Sequence, residues 1–372
     1  MSHRVHGLAD DDTTPDWPPL EGADVTQLLA AFPSLHGAVT VDWLSPRPFS
    51  SAALVHTRAG EVFVKRYHRD VRSVARLEVE QRFAAHLRNR GIPTPPVLAD
   101  AQGRTAVSRA TWTYEVQAVA AGVDLYRDTP SWTPLTNLAH AHAAGEMLAR
   151  LHAAAQGFSG AESDDALIAR DTTLRAADPI AAIVSLCARR PSLGAYLAAR
   201  NWRAELALLL AHQHKLQARL AALPRLWTHN DWHVSNLFWS GTGDSTRVSA
   251  VVDFGLAAQT FAWYDLATAV ERNAIAWLHL ERGSAAAFPA TARALVAGYG
   301  RVRPLNDEDR ALVAALLPIV HLDFALSEID YYSGITHSAA NADVAYRTFL
   351  LDHFAWFATR PGQYLLAAVR QP

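Results

Sequence analysis

Carboxylate and amide side chains cluster in two short runs of the chain, residues 229–236 and residues 251–255. The first run contains Asp231 and, five positions later, Asn236, and the second places Asp253 after an apolar stretch in the order Asp-Phe-Gly. Phosphoryl transfer needs a carboxylate that accepts the proton of the attacking hydroxyl, and oxygen ligands that hold magnesium against the phosphates. These residue types at this spacing favour that chemistry, with Asp231 and Asn236 on one loop and Asp253 on a neighbouring strand.

Lysine is rare in this sequence, so its positions are informative. Lys and Arg together number 34, but lysine occurs only at Lys65 and Lys215. A chain that uses arginine for charge keeps lysine where a compact ammonium does what a planar guanidinium cannot. Lys215 lies on the polar face of a predicted helix and is interpreted as a surface residue. Lys65 lies in the alternating run 62–67, which predicts a strand, and is a candidate functional residue.

The motif His-x-Asp with Asn five positions after the Asp, followed by Asp-Phe-Gly, resembles the aminoglycoside phosphotransferase family, also called the choline-kinase-like or kanamycin-kinase-like group. The resemblance covers residues 41–332. It implies a magnesium-dependent kinase that moves the γ-phosphate of ATP or GTP to a hydroxyl of a small molecule. It also implies residue roles: catalytic base for Asp231, bracing of the catalytic loop for His229, magnesium ligands for Asn236 and Asp253, and loop support for Asp265.

The first part of the chain supplies the expected nucleotide-binding lysine. By resemblance, Lys65 takes the position of the lysine that holds the nucleotide phosphates in kinases, and such a lysine pairs with a glutamate on the next helix. Glu80 shares the inward stripe of that predicted helix with Leu77, and an acid on an apolar face needs a partner. Glu78 instead lies beside Arg82 as an ordinary surface pair. We therefore predict a Lys65–Glu80 ion pair.

Two further segments are predicted to contact the nucleotide. The turn 49–52 stands in place of a glycine-rich loop, and Ser50 and Ser51 are candidate phosphate ligands, although serine pairs are also common in turns for local reasons. The backbone near Gln117 and Val119, at the predicted hinge between two lobes, is expected to hydrogen-bond the adenine.

Two departures from protein kinases favour a small acceptor over a protein. The chain has no Gly-x-Gly-x-x-Gly motif, and only twelve positions separate Asp253 from Asp265, too few for a long peptide-binding segment. The acceptor class stays open among antibiotics, sugars, nucleosides and amino alcohols, and antibiotic resistance is one possible role. The near-neutral composition favours an uncharged or weakly charged acceptor.

Candidate acceptor-binding residues lie in the second half of the chain. The spacing i, i+4, i+7 places Asp323, Ser327 and Asp330 on one polar stripe of an otherwise apolar predicted helix. Late helices with acidic residues line the acceptor pocket in the family that the chain resembles, and a solvated face would explain the stripe equally well. His233 and the pair Glu271 and Arg272 are further candidates.

Two other functions explain parts of the pattern. His229, Asp231 and His233 would face one way on a strand and could bind the zinc of a hydrolase. That interpretation leaves the Asp-Phe-Gly motif and Lys65 unexplained. A catalytically silent kinase-like binding protein is disfavoured because the full set of kinase residues is present.

Composition limits the class of protein. The chain has 372 residues, of which 50% are hydrophobic, and a formal net charge of −2. A large core and two lobes are therefore expected, and neither nucleic acid nor anionic lipid is an expected partner. Apolar runs such as residues 311–320 are shorter than a membrane span, and the single cysteine, Cys187, forms no disulfide framework. These features favour a cytoplasmic enzyme, monomeric or homodimeric.

Periodicity and turn signals predict the elements that position these residues. The first lobe should contain a hairpin over residues 55–67, a helix over 71–89, and strands at 106–108 and 112–119. Long Ala- and Leu-rich helices should follow at 138–155, 202–223 and 307–332, the last with a kink at Pro318. Short strands at 236–239 and 248–253 interrupt the helical part.

The predicted fold class is α+β, a bilobal protein-kinase-like fold with a small antiparallel-sheet N-lobe and a larger, mainly helical C-lobe. Residues 1–34 should form a lead-in, mobile over residues 9–20, and a short helix. The predicted N-lobe spans residues 35–118, and the predicted C-lobe, with the catalytic loop and acceptor site, spans residues 119–372.

Overall fold

The N-lobe is built on an antiparallel β-sheet. The computed structural model describes residues 3–8, 11–35, 37 and 39–371, so Met1, Ser2, Ala9, Asp10, His36, Ala38 and Pro372 lie outside the described residues. The strands of this lobe are β1 (Val5–His6), β2 (Asp12–Thr13), β3 (Thr40–Leu44), β4 (Ser51–Thr57), β5 (Gly60–His68), β6 (Val107–Arg109) and β7 (Trp112–Ala118). The main sheet has the order β3–β4–β5–β7–β6, and β1 pairs with β2.

Alternation along the strands gives the sheet two different faces. Val55, Val62 and Val64 are buried in one cluster with Leu28 of helix α1 (Gly22–Leu29), which covers that face. Because neighbouring residues of a strand point to opposite faces, Lys65 points toward the cleft between the lobes. The predicted β4–β5 hairpin is confirmed.

Helix α2 (Val74–Arg88) connects the two lobes by packing. It begins after Ser73, whose hydroxyl accepts a hydrogen bond from the Arg76 N–H at 3.2 Å. Phe83 on its inner face lies 5.6 Å from the ring of Trp227 and 5.8 Å from the ring of Phe254, both in the C-lobe. The helix of the N-lobe is therefore packed directly on the Asp-Phe-Gly motif.

The C-lobe is mainly helical. Its helices are α3 (Leu138–Ala154), α4 (Thr172–Arg175), α5 (Pro179–Arg189), α6 (Pro191–Ala198), α7 (Trp202–Glu205), α8 (Ala207–Ala222), α9 (Ala262–Ala274), α10 (Pro289–Val302), α11 (Asp307–Leu316), α12 (Leu322–Gly334), α13 (Ala339–Tyr346), α14 (His353–Trp356) and α15 (Arg360–Arg370). A π-helix (Arg347–Asp352) joins α13 to α14. Short 3₁₀ segments occur at Val234–Asn236, Gly243–Ser245, Trp277–Ala286 and Leu317–Ile319.

Short antiparallel pairs carry the loops of the cleft. Strand β8 (Leu226–Thr228) pairs with β11 (Ala258–Thr260), and β9 (Leu237–Ser240) pairs with β10 (Arg247–Val251). The loop from β8 to β9 contains Asp231, and the loop from β10 to β11 contains Asp253. The β8–β11 pair therefore joins the start of the Asp231 loop to the end of the Asp253 loop. The β9–β10 pair joins the end of the Asp231 loop to the start of the Asp253 loop.

The predicted break at Pro318 is confirmed, since a 3₁₀ turn there separates α11 from α12. Residues Asp307–Gly334 together are long and apolar enough to cross a membrane by length and composition alone, unlike the shorter run considered in the sequence. However, 89% of the most apolar window is buried inside the C-lobe. The run is a core segment of this lobe.

The lead-in differs from the prediction of a mobile segment over residues 9–20. Ala9 and Asp10 lie outside the described residues, but residues 11–20 make specific contacts. The indole of Trp17 stacks on His68 of the N-lobe at 4.7 Å and donates to Tyr331 Oη of the C-lobe at 3.2 Å. Tyr331 Oη in turn donates to Asp16 at 2.8 Å. Aromatic burial holds this segment in place although its sequence has no periodicity.

Candidate active site

Two adjoining cavities lie in the cleft, among the described residues. The first, of about 1230 Å³, is lined by the cleft faces of β4, β5 and β7. The second, of about 1060 Å³, lies against the C-lobe and includes Asp231 and Arg272. Lys65, Asn236 and Asp253 line both cavities and mark the junction between them.

An ion pair between the lobes lies at this junction. Lys65 Nζ donates to Asp253 Oδ2 at 2.8 Å. Burial opposes charge on both side chains, but their mutual attraction outweighs it, raising the pKa of Lys65 and lowering the pKa of Asp253 relative to their ordinary values. The Gly255 N–H donates to Asp253 Oδ1 at 3.3 Å. The Asp-Phe-Gly carboxylate is therefore held ionised against strand β5.

The predicted Lys65–Glu80 pair is not formed. Glu80 is buried, as predicted, but Arg76 Nε donates to its Oε1 at 2.8 Å and Arg72 Nε lies 3.3 Å from the same oxygen. The prediction was wrong because arginines on and just before α2 satisfy the carboxylate locally. Glu115, which was not predicted, lies directly across from Lys65 on β7 and lines the first cavity.

Asp231 lies on the loop after β8, at the wall of the second cavity. Asn236 Nδ2 donates to the Asp231 carbonyl at 2.8 Å and to Asp231 Oδ2 at 3.1 Å. The Ser235 N–H donates to His233 Nδ1 at 3.3 Å, and His233 Nε2 lies 3.3 Å from Asp231 Oδ2 and 3.1 Å from Asn236 Nδ2. Burial alone would raise the pKa of Asp231, but His233 and Arg272 outweigh it and hold that pKa below the ordinary carboxyl range.

Asp265 on α9 holds the start of this loop. Its Oδ2 accepts from the His229 N–H at 2.9 Å, and its Oδ1 accepts from the Asn230 N–H at 2.8 Å. His152 Nε2 of α3 lies 3.0 Å from Oδ2 and orients the carboxylate. Asn230 has a φ of 63°, a left-handed conformation that asparagine tolerates. The buried carboxylate thus bonds both N–H groups that lead into Asp231.

His229 lines neither cavity and lies buried beneath the loop. Its Nε2 lies 3.0 Å from the Val252 carbonyl, and its Nδ1 accepts from the Asp231 N–H at 3.2 Å. Burial lowers the pKa of His229 and keeps the ring neutral. Both ring nitrogens are therefore engaged, and the alternative zinc site formed by His229, Asp231 and His233 is not supported.

The second cavity combines opposite charges with aromatic walls. The Arg272 guanidinium lies 5.4 Å from the ring centroids of Trp132 and Phe324, contacts worth about 0.5–2 kcal/mol each. Glu328, one turn after Phe324 on α12, also lines the cavity, and its Oε1 has no hydrogen-bond partner in the described part of the chain. The cavity therefore offers both a cation and a carboxylate.

Most of the predicted nucleotide residues face the first cavity. Gln117 and Val119 at the end of β7 line it, as does Ser50 in the turn before β4. The Ser51 hydroxyl points elsewhere, because it donates to the Pro18 carbonyl at 2.6 Å. Alternation at the start of the strand turns the two serines to opposite faces, so the assignment of the Ser51 hydroxyl to phosphate was wrong.

The predicted acceptor stripe on α12 faces away from Asp231. Asp323 accepts from two backbone N–H groups at the start of α4, at 2.9 and 3.0 Å. Asp330 lies 3.4 Å from Arg190, and Ser327 lines a separate small cavity with both acids. Their assignment to the acceptor was wrong, because equal spacing identifies a common helix face but not the neighbour that covers it. The adjacent stripe, with Glu328, faces the cleft.

Glu271 is also turned away from the cleft. It is buried on α9 beside His321 and His353, whereas its neighbour Arg272 lines the second cavity. His233 does line that cavity beside Asp231. Five other residues of the second cavity were not assigned from the sequence, because none of them belongs to a motif that separates it from surface or core residues. They are Arg47, Arg72, Trp132, Phe324 and Glu328.

Comparison with known proteins shows which family the chain matches. Residues 48–308 match the family model described as the phosphotransferase enzyme family. The homoserine kinases of Afipia carboxidovorans and Rhodopseudomonas palustris are 29% and 27% identical over 282 and 286 residues, which cover 75% of this chain and 76% of each relative.

Solved structures support the fold. A microcompartment-associated aminopropanol kinase aligns with a TM-score of 0.62 at 18% identity, over 94% of this chain and 99% of that one. The amicoumacin kinase hAmiN aligns with a TM-score of 0.56 at 14% identity, over 93% of each chain.

These similarities confirm the predicted resemblance and the α+β, bilobal protein-kinase-like fold. They also confirm the prediction of a small-molecule kinase with an alcohol group as acceptor. With the family model matched over residues 48–308, this chain belongs to the phosphotransferase enzyme family.

Proposed function

We propose that this chain transfers the γ-phosphate of ATP, bound with Mg²⁺, to the hydroxyl of a small amino-acid-like acceptor. The observation that carries the proposal is that Lys65, Asn236 and Asp253 line both cavities, with Asp231 in the wall of the second. A nucleotide in the first cavity would present its terminal phosphate at the junction, where an acceptor hydroxyl from the second can meet it in line.

Asp231 is proposed as the catalytic base. Its low pKa keeps the carboxylate ionised at neutral pH, so it can accept a hydrogen bond from the acceptor hydroxyl and take its proton as the O–P bond forms. Its contacts with Asn236 and His233 fix its orientation. His229 and Asp265 are proposed as positioning residues, since both act on the backbone of the loop.

Asn236 and Asp253 are proposed as ligands of Mg²⁺. This ion prefers oxygen donors, and the two side chains supply a carboxylate and an amide oxygen. Asn236 uses its Nδ2 toward Asp231, which leaves Oδ1 for a cation, and Asp253 is ionised. When bound, the ion neutralises charge on the transferred phosphoryl group.

Lys65 is proposed to bind the nucleotide phosphates, with Ser50 beside it and Gln117 and Val119 near the base. ATP is proposed over GTP because the amicoumacin kinase with the same fold was solved with AMP-PNP and Ca²⁺. Glu80 would act through Arg72, which lines the second cavity, rather than through Lys65.

The acceptor is proposed to be a hydroxylated zwitterion, with homoserine as the first candidate. The curated relatives at 27–29% identity are homoserine kinases. Arg272 can pair with a carboxylate, and Glu328, whose buried Oε1 has no hydrogen-bond partner among the described residues, can accept from an ammonium. A zwitterion has no net charge, in agreement with the near-neutral composition. An amino alcohol has no carboxylate to pair with Arg272.

Acceptor-stimulated release of ADP from ATP tests this proposal. With Mg²⁺, homoserine should stimulate release more than amino alcohols, sugars or aminoglycosides, and EDTA should abolish the effect. Arg272→Gln should raise the KM for homoserine and leave the KM for ATP unchanged, whereas Arg282→Gln, at an exposed arginine, should change neither. Stimulation by an amino alcohol alone would overturn the acceptor assignment, and no stimulation by any acceptor would overturn the site assignment.

We also propose that the enzyme works in the cytoplasm, as a monomer or homodimer, without a nucleic-acid or membrane partner. Its single thiol, Cys187, suits a reducing compartment.

The proposed division of the chain is a lead-in over residues 1–34, an N-lobe over 35–118 and a C-lobe over 119–372. Thermolysin cleavage at the hinge near residues 119–122 in native protein, suppressed by ATP, would support this division.

A further inference from the structure

A group of buried metal-ligand side chains lies behind the wall of the second cavity. Glu271 comes from α9, His321 from the residue before α12, and His353 from the first residue of α14. All three are buried, and their ligand atoms lie within 4.8 Å of one another. The group joins three separate elements of the C-lobe and takes no part in the chemistry described above.

The distances suit a shared cation better than direct hydrogen bonds. Glu271 Oε1 lies 3.7 Å from His321 Nδ1 and 3.5 Å from His353 Nε2. Both separations exceed a normal N–H···O hydrogen bond. Ligands of a tetrahedral Zn²⁺ at ordinary bond lengths lie about 3.3 Å apart, so a shift of a few tenths of an ångström would bring each histidine nitrogen to that distance from Glu271 Oε1.

The far nitrogen of each histidine has its own partner. His321 Nε2 lies 3.3 Å from Glu328 Oε2. His353 is hydrogen-bonded to the Pro318 carbonyl, and because its Nε2 has no hydrogen-bond partner, Nδ1 makes this bond. A carboxylate or carbonyl behind the ring is the usual arrangement for a metal-bound histidine.

This arrangement directs two nitrogen lone pairs at one carboxylate. Tautomers with the ring protons toward Glu328 and Pro318 would present His321 Nδ1 and His353 Nε2 to Glu271 Oε1 as acceptors. Two imidazole nitrogens beside one carboxylate form a donor set for a divalent cation.

The surrounding charges also leave room for a cation. Glu271 and Glu328 bring two carboxylates, and the facing cation is Arg272, whose Nε lies 3.3 Å from Glu271 Oε2 without forming a hydrogen bond. A small cavity adjoins this group and is lined by Glu271 and His321.

We propose that Glu271, His321 and His353 bind a zinc-like divalent cation that pins α9, α12 and α14 together behind Arg272. Two imidazoles and one carboxylate select Zn²⁺ over Mg²⁺, whose proposed site at Asn236 and Asp253 offers oxygen donors. The cation holds the residue next to Arg272, so it steadies the wall of the second cavity without touching the reacting atoms.

Metal analysis of the full chain, purified without chelator, tests the proposal. Elemental mass spectrometry should find about one zinc ion per chain in the wild type. His353→Gln should lose this zinc. His56→Gln should retain it, because that histidine belongs to the exposed Asp42–His56–Glu61 group, and Asp253→Asn should retain it too. Loss of zinc from Asp253→Asn with retention in His353→Gln would overturn the assignment.

A second measurement does not depend on the folding of a variant. Wild-type protein stripped with a chelator and titrated with CoCl₂ should develop the visible absorption of cobalt in a site of low coordination number, and added ZnCl₂ should remove it. The melting temperature of the stripped protein should rise with ZnCl₂ and not with MgCl₂. A wild type that carries no zinc, gives no cobalt absorption and melts unchanged contains only a hydrogen-bonded His–Glu cluster, and the proposal fails.

Discussion

Asp231 is the residue on whose carboxylate turnover should depend most. Asp231→Asn should lower kcat by about 10²–10⁴-fold, because an amide cannot take the acceptor proton. The affinity for ATP should stay unchanged, since Asp231 lines only the second cavity. Steady-state kinetics and calorimetry measure the two quantities, with Asp352→Asn at an exposed position as control. A kcat near that of the wild type would rule out Asp231 as base.

The pH dependence of activity should reveal the coupling between Asp231 and His233. Burial alone would raise the pKa of Asp231, and His233 is the largest influence that lowers it. In His233→Asn, Asp231 stays buried but loses the histidine that lowers its pKa, so the pKa of Asp231 rises. Because the base works only when ionised, activity should then be lost at a higher pH as the solution is acidified. A profile of kcat/KM against pH that keeps its acidic limb, or moves it to lower pH, contradicts this coupling.

Local spacing could predict part of the site at this scale. Asp231, Asn236 and Asp253 belong to short motifs whose loops are encoded within a few residues, so their types and order suffice. The partner of Glu80 could not be predicted, because several arginines compete for one buried carboxylate and only tertiary packing selects between them. The assignment of the Asp323 stripe to the acceptor was wrong for the same reason, because periodicity does not identify the element that covers a helix face.

At the scale of elements, the crossing of α3 and α10 should be sensitive to single methyl groups. A Cβ on Gly298 would overlap the His142 carbonyl, whereas a Cβ on Gly300, two residues later, meets no atom within 4 Å. Gly298→Ala should lower the free energy of unfolding by about 1–3 kcal/mol through overpacking. Gly300→Ala should raise it by up to about 1 kcal/mol through helix propensity.

Urea unfolding of the two variants measures this contrast. Equal effects of the two substitutions would show that the helices do not cross in backbone contact. Gly145→Ala provides a second probe from the other side, because its Cβ would overlap the Leu295 carbonyl.

Long and strongly patterned elements could be predicted, whereas only some of the short ones could. The β4–β5 hairpin, α2 and α3 have clear alternation or helical period, and their predicted bounds differ from the structure by a few residues. Strand β3 and helices α4 and α6 were not predicted, because they are short and their period is weak, and the 11-residue helix α5 was not predicted either. The predicted helix over residues 202–223 is divided at Leu206 into α7 and α8.

At the scale of the whole molecule, the N-terminal segment should stabilise the lobes against each other. Tyr331 Oη receives the Trp17 indole N–H and donates to Asp16, so one hydroxyl joins the segment to α12. Tyr331→Phe should lower the free energy of unfolding by about 1–3 kcal/mol, because it leaves two partly buried groups without a partner. It should also speed proteolysis near residues 11–20.

Urea unfolding and limited proteolysis test this expectation, with Tyr364→Phe, at an exposed tyrosine, as control. Unchanged stability and unchanged proteolysis in Tyr331→Phe would mean that the segment does not depend on this contact.

The bilobal plan itself was predictable, because the change from strand-like to helical patterning marks the boundary. The bridging by residues 11–20 was not, since isolated aromatic residues in a Pro-rich stretch do not reveal their partners.

Transfer of a radiolabelled γ-phosphate from ATP to homoserine is the most direct test of the proposed reaction. The wild type should produce labelled O-phosphohomoserine that requires both Mg²⁺ and homoserine, and Asp231→Asn should produce at least about 10²-fold less under the same conditions. Label that appears only as inorganic phosphate, independent of homoserine, would contradict the assignment of the acceptor. Equal amounts of product from Asp231→Asn and the wild type would contradict the assignment of the base.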